Sequence, residues 1–147
     1  MASLASIGGK VTITALSQRL VVTMPARLSS DLLKGVREEV LDRLRKLSAR
    51  AVVLDMAMVA AIDTREFDAL ADIARMVQIM GTPALFSGLQ PGVVSALIDL
   101  DVDTSLILAV RNVDDALALY EPEEPRSVDT QETDQPEQEP PFLAEGT

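Results

Sequence analysis

The chain has 147 residues, a formal net charge of −10, and no cysteine, histidine or tryptophan. That length suits one domain with a single core. The missing cysteine and histidine exclude a disulfide framework, a thiolate metal site and hydrolase triads or zinc centres of the usual kind, and the scarcity of aromatic residues argues against a stacking platform for single-stranded nucleic acid.

Residues 1–7 are expected to form a flexible N-terminus. They lack the basic region and apolar core of a secretory signal, and no window is long enough to span a bilayer, so the cytoplasm is the default location. Val11-Thr12-Ile13-Thr14-Ala15-Leu16 is β-branched and alternating. Leu20-Val21-Val22-Thr23-Met24 follows after Ser17-Gln18-Arg19, which predicts an antiparallel hairpin ended by Pro25. Ser29 or Ser30 then caps a helix with Asp31 in its first turn. Leu32, Leu33, Val36, Val40, Leu44 and Leu47 recur at spacings of three and four and give one apolar stripe. Arg37, Glu38, Asp42, Arg43 and Arg45 take the wet side, and Gly35 weakens the helix by roughly 1 kcal/mol relative to alanine.

Ala51-Val52-Val53-Leu54 reads as a buried strand closed by Asp55. A compact apolar connection, residues 56–62, leads to a second helix that buries Phe67, Leu70, Ala71, Ala74, Val77 and Met80. Gly81 suits its C′ position, and Pro83 forbids continuation. Ala84-Leu85-Phe86-Ser87 forms the next strand. Gly88-Leu89-Gln90-Pro91-Gly92 is a turn into a third helix with Pro91 near N1. The apolar positions of that helix are Val93, Val94, Leu97, Ile98 and Leu100. Residues 105–110 form the last strand, and Asn112 caps a final helix whose Val113, Ala116, Leu117 and Tyr120 share a face. The order is β-β-α-β-α-β-α-β-α. It predicts a single α/β domain over residues 8–120, with a mixed, roughly five-stranded sheet and amphipathic helices mainly on one face.

The charge is concentrated at the C-terminus. Residues 121–147 hold nine acids against Arg126 alone, a balance of −8, while the first 120 residues hold the other 14 acids and 12 bases, a balance of −2. This segment also carries five of the eight prolines and almost no apolar residue before Phe142-Leu143. Such a composition cannot offset the entropy of ordering, so residues 121–147 are expected to be an acidic, proline-rich disordered tail that solvates the chain, with a weak docking element at Phe142-Leu143 as the alternative. Neither part offers the excess of lysine and arginine that nucleic acid requires.

The segment Ala61-Ile62-Asp63-Thr64-Arg65-Glu66-Phe67 places a hydroxyl at a strand-to-helix junction. Asp63 suits an N-cap, and Glu66, three residues on, completes a capping box. Thr64 falls in the first turn, where the helix dipole favours negative charge. A phosphate there would add about −1.5 to −2 charges beside Asp63, Glu66 and Asp68. Taken alone, the pattern is first that of a well-capped helix, since capping signals are common. Other chemistries lack their residues. There is no glycine-rich phosphate loop with its lysine and no dinucleotide fingerprint. Asp55 ends a central strand as a phosphoacceptor aspartate would, but the acidic pair and the lysine of such a site are missing. Asp99, Asp101 and Asp103 alternate without the glycine and final glutamate of a calcium loop, and read as helix-end and turn residues. No metal or cofactor is expected.

Three segments together resemble a known family: Ala51-Val52-Val53-Leu54-Asp55, then Ile62-Asp63-Thr64, then Gly81-Thr82-Pro83-Ala84-Leu85-Phe86-Ser87-Gly88-Leu89-Gln90-Pro91. The arrangement is similar to the STAS domain of anti-sigma factor antagonists, and more narrowly to RsbS, the small STAS subunit of the bacterial stressosome. The resemblance covers residues 8–120. It implies a regulator without enzymatic activity that a serine/threonine kinase phosphorylates. The modified residue would be Thr64, where RsbS proteins commonly have serine. Ser87 falls where the RsbR paralogues carry a second phosphorylated threonine, a weaker carry-over. Asp63, Arg65, Glu66 and Asp68 would form the docking surface around the switch. The implied partners are RsbR-like sensor STAS proteins, an RsbT-like kinase, an RsbX-like phosphatase and further copies in a large assembly, with no membrane or nucleic acid. A STAS domain that binds a nucleotide or small ligand at the same helix end, without phosphorylation, is the alternative.

Because the tail contributes no core, deleting residues 121–147 is expected to leave the melting temperature nearly unchanged in a calorimetric scan; a large drop would show that the tail packs.

Overall fold

The computed structural model describes residues 4–7, 11–105 and 107–122; the expected tail lies almost wholly outside the described residues. Its strands are β1 (Leu4–Ile7), β2 (Val11–Leu16), β3 (Arg19–Thr23), β4 (Ala51–Asp55), β5 (Ala84–Ser87) and β6 (Ala109–Val110). The helices are α1 (Ser30–Lys46), α2 (Thr64–Ile79), α3 (Pro91–Asp99) and α4 (Val113–Leu119). The strands lie in one sheet in chain order, β1-β2-β3-β4-β5-β6. The first three pair antiparallel, and β3 through β6 pair parallel. From β2 onward this is the expected mixed α/β order.

Two differences lie at the sheet edges. Leu4–Ile7, expected within a flexible N-terminus, pairs with β2 from Leu4↔Thr14 to Ile7↔Val11. Without it the outer edge of β2 would present a row of unpaired backbone groups, and β1 satisfies them. At the other edge the expected strand over 105–110 shrinks to Ala109–Val110. There the amide of Ser105 donates to Asp103 Oδ1 at 3.0 Å and the amide of Ile107 donates to the Thr104 carbonyl at 3.0 Å, so local turns compete with extension.

Alternation along the parallel strands sorts the core. Val22, Val52, Leu54 and Phe86 face α1, α2 and α3, joining Leu33, Val36, Val40, Phe67, Leu70, Ile73, Val77, Val93 and Leu97. Val21, Val53 and Leu85 face the other way, against Ala116 of α4. Helices therefore cover mainly one side, and α4 alone seals the reverse of the central strands. The apolar pattern overstates burial on α3: Val94, Ile98 and Leu100 are exposed, Ile98 by 70%. It also places Met80 inside, although Met80 is exposed, and it misses the buried Ile73.

The helix ends follow their sequence signals. Ser29 accepts from the Leu32 amide as the N-cap of α1, and Asn112 accepts from the Asp115 amide on α4. At the end of α2, Gly81 has φ +88°, its amide bonds to the Gln78 carbonyl, and the Thr82 amide bonds to the Val77 carbonyl. That is a Schellman closure, in which glycine takes the left-handed position without steric cost. Asp101 does the same for α3 at φ +51°, which gives one of the alternating acids a turn role.

Arg19 fastens α4 to the sheet. The residue is 9% exposed. Nη1 donates to the Leu117 carbonyl at 2.7 Å and to the Tyr120 carbonyl at 3.4 Å, while Nε donates to the Leu16 carbonyl at 3.1 Å. A cation thus binds carbonyls at the C-terminal end of α4, where the helix dipole is negative, and shares the Leu117 carbonyl with the Tyr120 amide. Arg19→Met is expected to lower stability by about 1–3 kcal/mol, the scale of charge-assisted bonds lost beside buried carbonyls. Urea unfolding measures the loss, and hydrogen exchange should show α4 opening first; unaltered protection of α4 would contradict this role.

Candidate functional site

The site lies where the parallel strands end. β4 finishes at Asp55, whose Oδ1 accepts from the Ala57 amide at 3.1 Å, so this carboxylate shapes the turn. The Met56 amide donates to the Ser87 carbonyl at 2.8 Å, and Val59 and Ile62 are buried. These contacts pin residues 56–62 over the core and deliver the chain to α2 at a set point. The neighbouring turn holds the same loop from the side. Gln90 Nε2 donates to the Ala57 carbonyl at 2.6 Å. Gly88 has φ +69°, and a Cβ built there would lie 3.1 Å from the Ala57 Cβ. Glycine is needed at 88 both for the backbone angle and for the close approach.

α2 then begins with a complete capping box. Asp63 Oδ1 accepts from the Glu66 amide at 2.7 Å, and the Asp63 amide donates to Glu66 Oε2 at 3.1 Å. The two acids are engaged with each other's backbone, and Thr64 takes no part in the cap. Thr64 is exposed at the first helical position, as are Asp63 and Arg65 on either side. Asp63 and Glu66 also border an open hollow with Arg27, Leu28 and residues 60–62. Arg27 belongs to the β3–α1 connection, so it reaches the site through the fold alone, and nothing in its local sequence marks it.

The structure separates the other expected site residues. Asp68 lies a turn further along α2, bordering a different groove with Phe67, Arg75 and Asp103. The Asp103 carboxyl there is held below the usual carboxylate range, mainly by the Ser105 hydroxyl and then by its amide. Ser87 is 0% exposed, and its hydroxyl has no hydrogen-bond partner. A kinase cannot reach it in this conformation, whereas Thr64 is open to solvent. Among the described residues no cluster of acids is placed to hold a metal ion, and no helix is long and apolar enough to cross a membrane.

Neither a family model nor a curated relative matches the sequence. Solved structures do match. A glutamate variant of RsbS from Moorella thermoacetica superposes with a TM-score of 0.65 at 21% identity, over 75% of this chain and 93% of that one. The fold is that of STAS-domain anti-sigma factor antagonists. A chain from the molecular architecture of the stressosome, described as a signal integration and transduction hub, gives 0.65 at 20% identity over 74% and 94% of the two chains. The anti-sigma factor antagonist SpoIIAA in its unphosphorylated form gives 0.58 at 6% identity, over 84% and 100%. At these identities the likeness establishes the STAS fold.

Gly88→Ala is expected to cost about 1–3 kcal/mol, since it forces a side chain into left-handed backbone and against Ala57. Equilibrium unfolding measures this; a variant as stable as the parent would show that the Ala57 loop yields easily.

Proposed function

We propose that this chain is a phosphorylatable STAS scaffold, similar to anti-sigma factor antagonists, that holds a serine/threonine kinase until it is modified at Thr64. It acts without catalysis of its own, in an assembly of the stressosome type with sensor STAS paralogues of the RsbR kind. The kinase is RsbT-like, and an RsbX-like phosphatase resets the state. One observation carries the reading: an exposed hydroxyl stands on the first turn of α2, on a helix end whose cap is supplied by its neighbours.

The physical consequences of phosphorylation support a switch. The amides of Thr64 and Arg65 lie in the first turn, where no intrahelical acceptor exists, so the helix end tolerates an added anion. The same anion stands beside two carboxylates already committed to the cap. Docking would then change through charge while the fold stays intact. The loop that leads to Thr64 is tied to the sheet and to Gln90, so a partner meets a preformed surface. The likeness to RsbS and to a stressosome chain supports the same reading.

The test is phosphorylation by an RsbT-like kinase of the parent, Thr64→Ala and Ser87→Ala, with the phosphate located by mass spectrometry. Phosphate is expected on Thr64, with labelling lost in Thr64→Ala and retained in Ser87→Ala. Thr64→Asp is expected to weaken kinase retention roughly tenfold, about 1.4 kcal/mol, with an unchanged melting temperature. Labelling that ignores Thr64, or full retention by a folded Thr64→Asp protein, would overturn the switch. A nucleotide titration that saturates at the same helix end would favour a ligand-binding STAS domain instead.

A further inference from the structure

The opposite end of the sheet, where the parallel strands begin, carries a surface that the function above does not use. All four helices finish there, as does β2. The segment from Arg43 to Arg50 contains Arg43, Arg45, Lys46 and Arg50 and no acid. Arg50 adjoins the β2–β3 turn, its amide donating to the Gln18 carbonyl at 2.7 Å. Lys46 pairs with Asp42 at 3.0 Å, an exposed and therefore weak pair, while Arg45 and Arg50 have no ion pair among the described residues. Exposed apolar side chains stand among these bases: Leu16, Leu47, Ile79, Met80 and Leu119, with Ile79 78% exposed. The acids Asp99, Asp101 and Asp103 follow α3 at the same end, and Asp103 borders a groove with Arg75 and Gln78 of α2.

The chain leaves the domain at the same place. Tyr120, which ends α4, is held by Arg19 beside the β2–β3 turn. The 25 residues that follow position 122 contain Glu123, Glu124, Asp129, Glu132, Asp134, Glu137, Glu139 and Glu145 against Arg126, and then Phe142-Leu143. Coil statistics give 25 residues a root-mean-square reach of about 25–30 Å, enough to span α1, itself about 25 Å long. An acidic segment that ends in an apolar pair is thus tethered beside a basic surface studded with apolar side chains.

We propose that the C-terminal segment 123–147 folds back on its own domain and occupies this end. Its carboxylates lie against Arg45, Lys46 and Arg50, and Phe142-Leu143 covers Leu47, Ile79 and Met80. Tethering makes the encounter intramolecular, so weak contacts suffice to keep the surface occupied. The bound tail screens the end from other acidic or apolar partners, and does so at the pole opposite Thr64.

The absence of native cysteine allows a direct test on the full chain. A nitroxide attached at Ala144→Cys is expected to broaden the amide resonances of residues 16–19, 43–50, 79–82 and 119–120, and to spare residues 60–66. The broadening should vanish when salt rises from about 0.05 M to about 0.5 M, as screening shortens the reach of the charges. It should also vanish in the triple variant Arg45→Glu, Lys46→Glu, Arg50→Glu, whose own spectrum reports that it is folded. Even broadening over the whole domain, or none, would overturn the proposal. So would equal broadening when spin label and isotope are on different molecules, because the tail would then be docking on a second copy.

Discussion

β4 must be buried on both faces, and most of the architecture answers that requirement. Val52 and Leu54 point toward the helical side and Val53 toward α4, all without solvent exposure. A parallel strand in this position needs helices above and below it. α1 and α2 supply the first layer. The second rests on α4, a helix of seven residues whose last turn is held by Arg19. The cation at the start of β3 is therefore tied to the covering of the central strand, although the two are remote in sequence.

The same strand fixes the site. Its buried stretch ends at Asp55, where the chain turns outward, and residues 56–62 are held over the core by Met56, Val59 and Ile62. The turn after β5 braces that loop through Gln90 and the close approach of Gly88 to Ala57. The rigidity of the Thr64 position thus comes from two adjacent parallel strands and their connections. Glycine, glutamine and proline in the Gly88–Pro91 turn have separate tasks: left-handed backbone with close contact, a side-chain strut, and the first position of α3.

Local signals made much of this legible. The Asp63–Glu66 box, Gly81, Pro91 and Asn112 each act within four residues, and each appears where its chemistry demands. Signals that depend on distant partners were silent. Nothing around Arg27 announces that it borders the hollow with Asp63 and Glu66, and nothing in Arg19 marks it as the clasp of α4. Periodicity also misjudged α3, because an apolar repeat records which side chains avoid water on average and says nothing of whether a neighbour is present to cover them. At the sheet edges, Leu4–Ile7 is extended because β2 offers it a partner, whereas Asp103 and Ser105 bend the chain before β6 can lengthen.

The β2–β3 turn has one more implication. Ser17 and Gln18 sit at φ +47° and +67°, the left-handed geometry that two-residue hairpins require and that asparagine or glycine adopts most easily. Neither residue prefers that shape, so the turn gives its strands no local incentive to meet. Registration of Thr12 with Thr23 and of Leu16 with Arg19 must be imposed from outside, by the core beneath β3 and by β4 alongside it. The hairpin is the part of the sheet that looks simplest and most self-contained, yet it is a dependant of the parallel layer rather than a seed for it.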